Sequence, residues 1–258
     1  ERADCVISVG FDMVEYHPRL WNPHGTKRVV HADFIPSEID ENYRIETEVV
    51  GDLAHTLWML NERLDRDGEG SFDFDHAHTR LCREKMTEEF EAHKDDDAVG
   101  KIKPQKALWD ARQVLDGKND ILLSDVGAHK MWIARYYQCH APNTCLIPNG
   151  FCSMGFALPG AIAANIVDPD RKTLGICGDA GFMMNVQEME TAKRYNNITI
   201  LIWEDNAYGL IAWKQYNTFG KHTALSFGNP DFVQLAESFG WNGFRCEDST
   251  KLQDTLRA

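Results

Sequence analysis

Lys172-Thr173-Leu174-Gly175-Ile176-Cys177 runs into Gly178-Asp179-Ala180-Gly181-Phe182, and 26 positions after Asp179 a second acidic turn appears, Glu204-Asp205-Asn206-Ala207-Tyr208-Gly209. The first run is short and mostly apolar, as a strand buried on both faces should be, and it breaks at Gly178. Asn185-Val186-Gln187-Glu188 reads as a capping box opening a helix that continues to about Tyr195. Asn196-Asn197 then turns the chain into Ile198-Thr199-Ile200-Leu201-Ile202-Trp203, a second buried strand. The whole is a strand-helix-strand unit.

A right-handed crossover makes the two strands parallel, so both acidic turns leave the same carboxyl edge of the sheet. Two carboxylates near each other, with a helix start between them, suit a magnesium ion that joins acidic side chains to phosphate oxygens. Either aspartate alone reads equally well as a turn former or helix cap. The linked pair favours the metal.

At these residues the chain resembles the thiamine diphosphate (ThDP) enzymes, whose signature is Gly-Asp-Gly, a helix and a strand, and then Asn-Asn or a variant with Tyr-Gly just beyond. The chain departs from it at Ala180, in place of the middle glycine, and at Glu204-Asp205, in place of Asn-Asn. Ala180 fits if the backbone there has negative φ. The resemblance implies Asp179, Asp205 and the Ala207 carbonyl as magnesium ligands, with Asn206 and the Tyr208 carbonyl as the alternative register. Gly178, Ala180 and Gly181 then lie against the cofactor.

Two upstream segments extend the resemblance to acetolactate synthase. Ile121-Leu122-Leu123-Ser124-Asp125 is a further buried strand, and Val126-Gly127-Ala128-His129-Lys130-Met131-Trp132 after it is similar to the family's diphosphate-contacting segment. Gly127, Ala128 and His129 are the residues this implies; the alternative for His129 is a surface helix histidine. Asn149-Gly150-Phe151-Cys152-Ser153-Met154-Gly155 is similar to the family's glycine-rich turn. There Cys152 would contact the cofactor by its backbone, and Met154 would wedge between the cofactor rings or else serve as core filler. Downstream, Lys214 stands where similar catabolic enzymes carry Gln, which implies a substrate-side position or a solvent-facing helix lysine.

The opening of the chain looks like the later half of the family's central domain. Ala3-Asp4-Cys5-Val6-Ile7-Ser8-Val9-Gly10 is a strand ending in glycine, and Lys27-Arg28-Val29-Val30-His31-Ala32-Asp33 is a strand ending in an acid. By spacing this suggests a dinucleotide site, but no Gly-x-Gly-x-x-Gly follows the first strand. Some members of the family bind FAD in this domain and others bind nothing; the residues leave both open.

Composition limits the alternatives. The chain has 258 residues, 43% hydrophobic content and a formal charge of −13. That charge argues against a nucleic-acid partner, which clustered Lys and Arg would hold. No apolar stretch approaches the ~20 residues of a membrane span and no secretory segment opens the chain, so no membrane partner is expected. Seven cysteines without a Cys-x-x-Cys pair read as reduced thiols of a cytoplasmic protein. Cys139, His140 and Cys145 are an incomplete set for a closed zinc site.

The expected fold is α/β, with doubly wound parallel sheets flanked by helices in two units. Residues 1–66 form a partial central domain, 67–103 a polar connector that includes Asp67-Gly68-Glu69-Gly70-Ser71 and a helix from Leu81 to His93, and 104–258 the diphosphate- and magnesium-binding domain. Both ends look cut. The resemblance implies an enzyme that condenses 2-oxo acids with decarboxylation, as a homodimer or homotetramer. It also implies that the activating glutamate lies on an N-terminal pyrimidine-binding domain outside this sequence, so that the chain alone is expected to be inactive. Another ThDP-dependent 2-oxo acid decarboxylase or acetyltransferase would share these residues, and a non-catalytic module could retain the fold.

Overall fold

The computed structural model describes residues 3–13, 16–67 and 75–258. The chain divides into two compact units, 1–76 and 77–258. The residues Gly68-Glu69-Gly70-Ser71, read above as connector, lie outside the described residues.

In the first unit, β1 (Cys5–Val9), β2 (Arg28–Asp33) and β3 (Ile45–Val50) form a parallel sheet in that order. Helix α1 (Leu53–Asp67) follows and contacts β2. Val29, Ala32 and Tyr43 are buried, and the Tyr43 ring packs with Phe11 and Trp21.

The second unit opens with α2 (Ala77–Glu91), which lies within the stretch read as a connector. It is mostly polar and exposed, and two neighbouring side chains hold it: Phe90 is buried against Trp109 and Tyr136, and Glu89 accepts from Arg135 Nη2 at 3.0 Å and from the Tyr136 hydroxyl. Helix α3 (Pro104–Val114) starts with proline at its first turn, where the missing N–H has no cost. Then come β4 (Ile121–Ser124), α4 (Ala128–Tyr136), β5 (Cys145–Leu146), α5 (Ala157–Val167) and β6 (Thr173–Gly178). After β6 follow α6 (Asp179–Met184), α7 (Glu188–Ala192), β7 (Ile198–Trp203), α8 (Gly209–Phe219), α9 (Phe232–Ser238) and α10 (Leu252–Arg257).

The four strands are parallel in the order β5-β4-β6-β7. Alternation along β4 supplies both faces: Leu122 joins Leu108, Ala111, Ile133 and Tyr136 on one side, while Ile121 and Leu123 pack with Ala161 of α5 on the other. This is the doubly wound arrangement expected from runs that are apolar throughout. The order also matters for position. The chain leaves β4 toward β5 and returns through α5 to β6 on the opposite side of β4, so the loops after β4 and β6 diverge. Ligands of open α/β sheets bind in the crevice at such a switch point.

One local expectation is corrected. The single helix from Asn185 to about Tyr195 is replaced by α6, a break at Asn185 and the short α7, whose N-cap Gln187 makes no side-chain cap bond. The Asn185 side chain instead donates Nδ2 to the carbonyl of Gly155 at 2.9 Å, which turns it toward a contact 30 residues away, and its Oδ1, the oxygen a capping box would use, accepts from Gln187 Nε2 at 3.5 Å rather than from a helix N–H.

Candidate functional site

Parallel pairing of β6 with β7 ends at Gly178 opposite Trp203, so Asp179 and the 204–206 turn leave the sheet together. Gly178 is still extended and Asp179 already begins α6, which puts Asp179, Ala180 and Gly181 inside the first turn rather than ahead of it. Ala180 is helical there, as its side chain requires.

Asp179 is 1% exposed. Its Oδ1 accepts from the Ala180 N–H at 2.7 Å. Its Oδ2 accepts from the N–H groups of Asp205 at 3.2 Å and Asn206 at 2.7 Å, and from Asn229 Nδ2 at 2.7 Å. The two acidic turns are therefore hydrogen-bonded to one another. Asp205 is more open; partial burial, and then the charge on Asp179, push its carboxyl above the usual carboxylate range. Like charges held this close are stabilised by a cation between them.

The loop carrying Asp205 has a fixed shape. Asn206 is left-handed, with φ of 58°. Ala207 forms an antiparallel bridge with Ser226, whose bonds run from Phe227 N–H to the Asn206 carbonyl and from Tyr208 N–H to the Leu225 carbonyl. The Tyr208 carbonyl also accepts from Ala212 at the start of α8, and Asn206 Oδ1 accepts from Asn229 Nδ2 at 3.1 Å. The Ala207 carbonyl takes part in none of these bonds. No group of three or more His, Cys, Asp or Glu side chains converges among the described residues, so a cation here would rest on two carboxylates and backbone oxygen.

Across the switch point, His129 in the first turn of α4 is 4% exposed, not a surface residue. Its ring lies beside Gly127 and Gly178, where a Cβ on Gly178 would stand 3.8 Å from Nδ1, and edge-on to Trp203. Burial pushes its basicity down, opposed by the nearby Asp125 charge and carbonyl. Nε2 is buried without a partner among the described residues. A buried polar atom left unpaired at a crevice fits a site built to receive a polar ligand.

Asp125, 1% exposed, is a residue that sequence reasoning passed over. Its carboxylate accepts from Val126 N–H at 2.6 Å, Gly155 N–H at 2.9 Å and Ala157 N–H at 3.0 Å, tying the end of β4 to the glycine-rich turn. That turn carries Cys152, with φ of 50°, and Met154. Gly155 has φ of 84°, and a Cβ there would stand 2.6 Å from Asn185 Nδ2, so the turn admits only glycine at this point. Gly181 also packs closely, since a Cβ there would stand 3.1 Å from Asp125 Oδ1 and the carboxylate would have to give way by a few tenths of an ångström. Gly127, Ala128, His129, Cys152, Met154, Gly178–Asn206, in part, and Lys214 all border one groove of the second unit. Lys214 itself lies exposed on α8.

The acidic ends of β4 and β6 could have flagged Asp125 alongside Asp179. Asn229 had no such signal, because it follows no strand and lies 50 residues from Asp179.

Residues 125–258 match the family model of the thiamine pyrophosphate enzyme, C-terminal TPP binding domain, and residues 1–60 match that of the central domain. The acetolactate synthase of Bacillus subtilis (strain 168) is 32% identical over the whole of this chain, which corresponds to 45% of that protein. The catabolic acetolactate synthase of Raoultella terrigena is 35% identical with the same coverage. The probable acetolactate synthase large subunit of Methanococcus aeolicus is 32% identical over 89% of this chain and 40% of its own length. The chain thus spans under half the length of these relatives.

Proposed function

The chain belongs to the thiamine pyrophosphate enzymes, and on that premise we propose that it forms the diphosphate-anchoring part of an acetolactate synthase-like enzyme that condenses 2-oxo acids with decarboxylation. The observation that carries this reading is the bonded pair of acidic turns, Asp179 and Asp205, on the same groove as His129, whose Nε2 is buried without a partner among the described residues.

In this reading Asp179, Asp205 and the Ala207 carbonyl hold Mg2+. Support for that register comes from the competing groups: Asn206 Oδ1 is held by Asn229 and the Tyr208 carbonyl by Ala212, whereas the Ala207 carbonyl is outside the bridge. Gly127, Ala128, Gly178, Ala180 and Gly181 let a diphosphate approach the backbone. An anion beside His129 favours its protonated form, which donates from both ring nitrogens. Cys152 and Met154, on the turn fixed by Asp125, shape the pocket for the rest of the cofactor. ThDP, when bound, supplies the electron sink for decarboxylation. The chain's residues bind it, orient it and balance its charge.

Lys214 is the candidate for specificity toward the 2-oxo acid, since it borders the groove on the helix that leaves the metal loop. Calorimetric titration of ThDP with and without Mg2+ tests the anchor. Binding that does not depend on Mg2+ would overturn it. Product analysis with pyruvate in the full-length protein tests the reaction: acetolactate supports the synthase reading, while acetaldehyde alone favours a decarboxylase. Lys214→Gln should change relative rates among 2-oxo acids; unchanged rates remove Lys214 from the substrate side.

A further inference from the structure

Among the donors to Asp179 Oδ2, two are backbone groups of the metal loop itself, and one is a side chain from elsewhere, Asn229. We propose that Asn229 is a positioning residue for the metal site: its amide holds Asp179 and the turn at Asn206 together and so aims the cation-facing groups of both acidic turns. This rests on the reading of Asp179 and Asp205 as Mg2+ ligands.

The geometry that supports it is a clasp. Residues 225–227 pair with 206–208 through the Ala207–Ser226 bridge, and the Tyr208 and Phe227 rings pack at 5.1 Å between centroids. Asn229 follows two residues later, just before Asp231, whose Oδ1 caps α9 by accepting from Val233 N–H at 2.9 Å and Gln234 N–H at 3.1 Å. The capped helix fixes where Asn229 stands. From there Nδ2 donates to Asp179 Oδ2 at 2.7 Å and to Asn206 Oδ1 at 3.1 Å, so one NH2 group bridges the two turns.

The bridge has two effects. It occupies Oδ2 of Asp179, which orients the carboxylate and leaves Oδ1 as the oxygen with only a neighbouring N–H upon it. It also braces Asn206 in the left-handed region, which a residue with a side chain seldom adopts and which sets the direction of Asp205 before it and Ala207 after it. A donor suits this place and an acid does not, since a second carboxylate would face Asp179. Asn229 Oδ1 is itself buried without a partner among the described residues. It is an acceptor of the kind that water on a magnesium ion fills, as that ion usually keeps several waters.

Residues that orient metal ligands commonly account for 10–100-fold in metal affinity. In the full-length protein, Asn229→Leu, near in volume but without donors, should raise the Mg2+ concentration for half-maximal ThDP binding by roughly 10–100-fold. Asn229→Ser, which keeps one donor, should recover part of that loss. The spectrum of Mn2+ bound in place of Mg2+ should change in the Leu variant as well. Asp205→Ala is the parallel arm. If it abolishes Mg2+ dependence while both Asn229 variants bind Mg2+ like wild type, whatever their melting temperatures, the positioning role is overturned and the ligand reading stands. If the unaltered protein shows no Mg2+ dependence, both fall. Should the Leu variant fail to fold, Asn229→Ala, which removes the donor without adding bulk, decides: unchanged Mg2+ affinity overturns the proposal.

Discussion

Asp179 Oδ2 and the backbone N–H of Asn206 meet at 2.7 Å, so the turn after β6 holds the turn after β7 directly, through protein groups alone. One oxygen of Asp179 therefore serves the fold and the other remains for the site. The two acidic residues of the proposed metal centre are not equivalent.

Their variants should separate accordingly. Asp179→Ala leaves the N–H groups of Asp205 and Asn206 without their acceptor in a part-buried turn, so urea unfolding without metal should show destabilisation. Asp205→Ala removes the carboxyl that Asp179 repels, and should leave the metal-free unfolding midpoint unchanged or higher. Both should abolish Mg2+-dependent ThDP binding. Equal stability loss in the two variants would contradict the division of labour.

Asp125 offers a test of the glycine-rich turn. Asp125→Asn turns one accepting oxygen into an NH2 group that faces a backbone N–H, at about 1–3 kcal/mol. Hydrogen exchange should accelerate at Gly155 and Ala157 more than elsewhere in the second unit. Exchange confined to other segments would show that the turn is held by something else.

On α3, Lys106 Nζ lies 2.7 Å from Asp110 Oδ1, both side chains are buried, and Asp110 Oδ2 has no partner among the described residues. Burial pushes the Asp110 carboxyl upward and Lys106 opposes it. Lys106→Met strands a buried acid and should destabilise by roughly 3–5 kcal/mol, whereas replacing the pair with Met and Leu together should lose less. Chemical denaturation of the three proteins gives the comparison; a double variant no better than the single one would count against a buried pair.

His129 gives the chain a pH signature. Burial lowers its pKa in the fold, whereas in the unfolded chain it stays near the ordinary value of about 6.5. Below that pH the unfolded chain takes up a proton that the folded one resists, so stability present above about pH 6.5 is lost as pH falls toward the folded pKa. The melting temperature without ligand should decline more steeply between pH 6.5 and 5 in the unaltered chain than in His129→Gln. Parallel curves would place the titration elsewhere.

Much of the site-bearing sheet was legible because β4 and β6 are buried on both faces and their sequences say so with little polar interruption; β7, read as a second buried strand, is the last strand in the order and only half-buried, with Thr199 exposed, so its apolar run revealed the strand but not its place in the sheet. The acidic turns were legible because parallel strands bring their ends to one edge. β5 was not, since Cys145-Leu146 is a two-residue edge strand with no period to detect. The break at Asn185 was hidden for a different reason: the local pattern favours a cap, and a tertiary contact to Gly155 overrides it. Asn229 marks the limit of reading along the chain, because its role depends wholly on what lies beside it in space.

The ladder that pairs Thr173 with Ile198 and ends with Gly178 opposite Trp203 measures the distance between the acidic turns in whole strand residues. The stretch from Asn185 to Asn197 lies outside that measure, so its length can change by a residue or more while the turns stay in step. An insertion between Ile198 and Glu204 has no such freedom. It would rotate every later side chain to the opposite face and carry Asp205 off the edge where Asp179 waits. Tolerance to length change should therefore shift abruptly at Ile198, which makes the start of β7 the frame mark of the site.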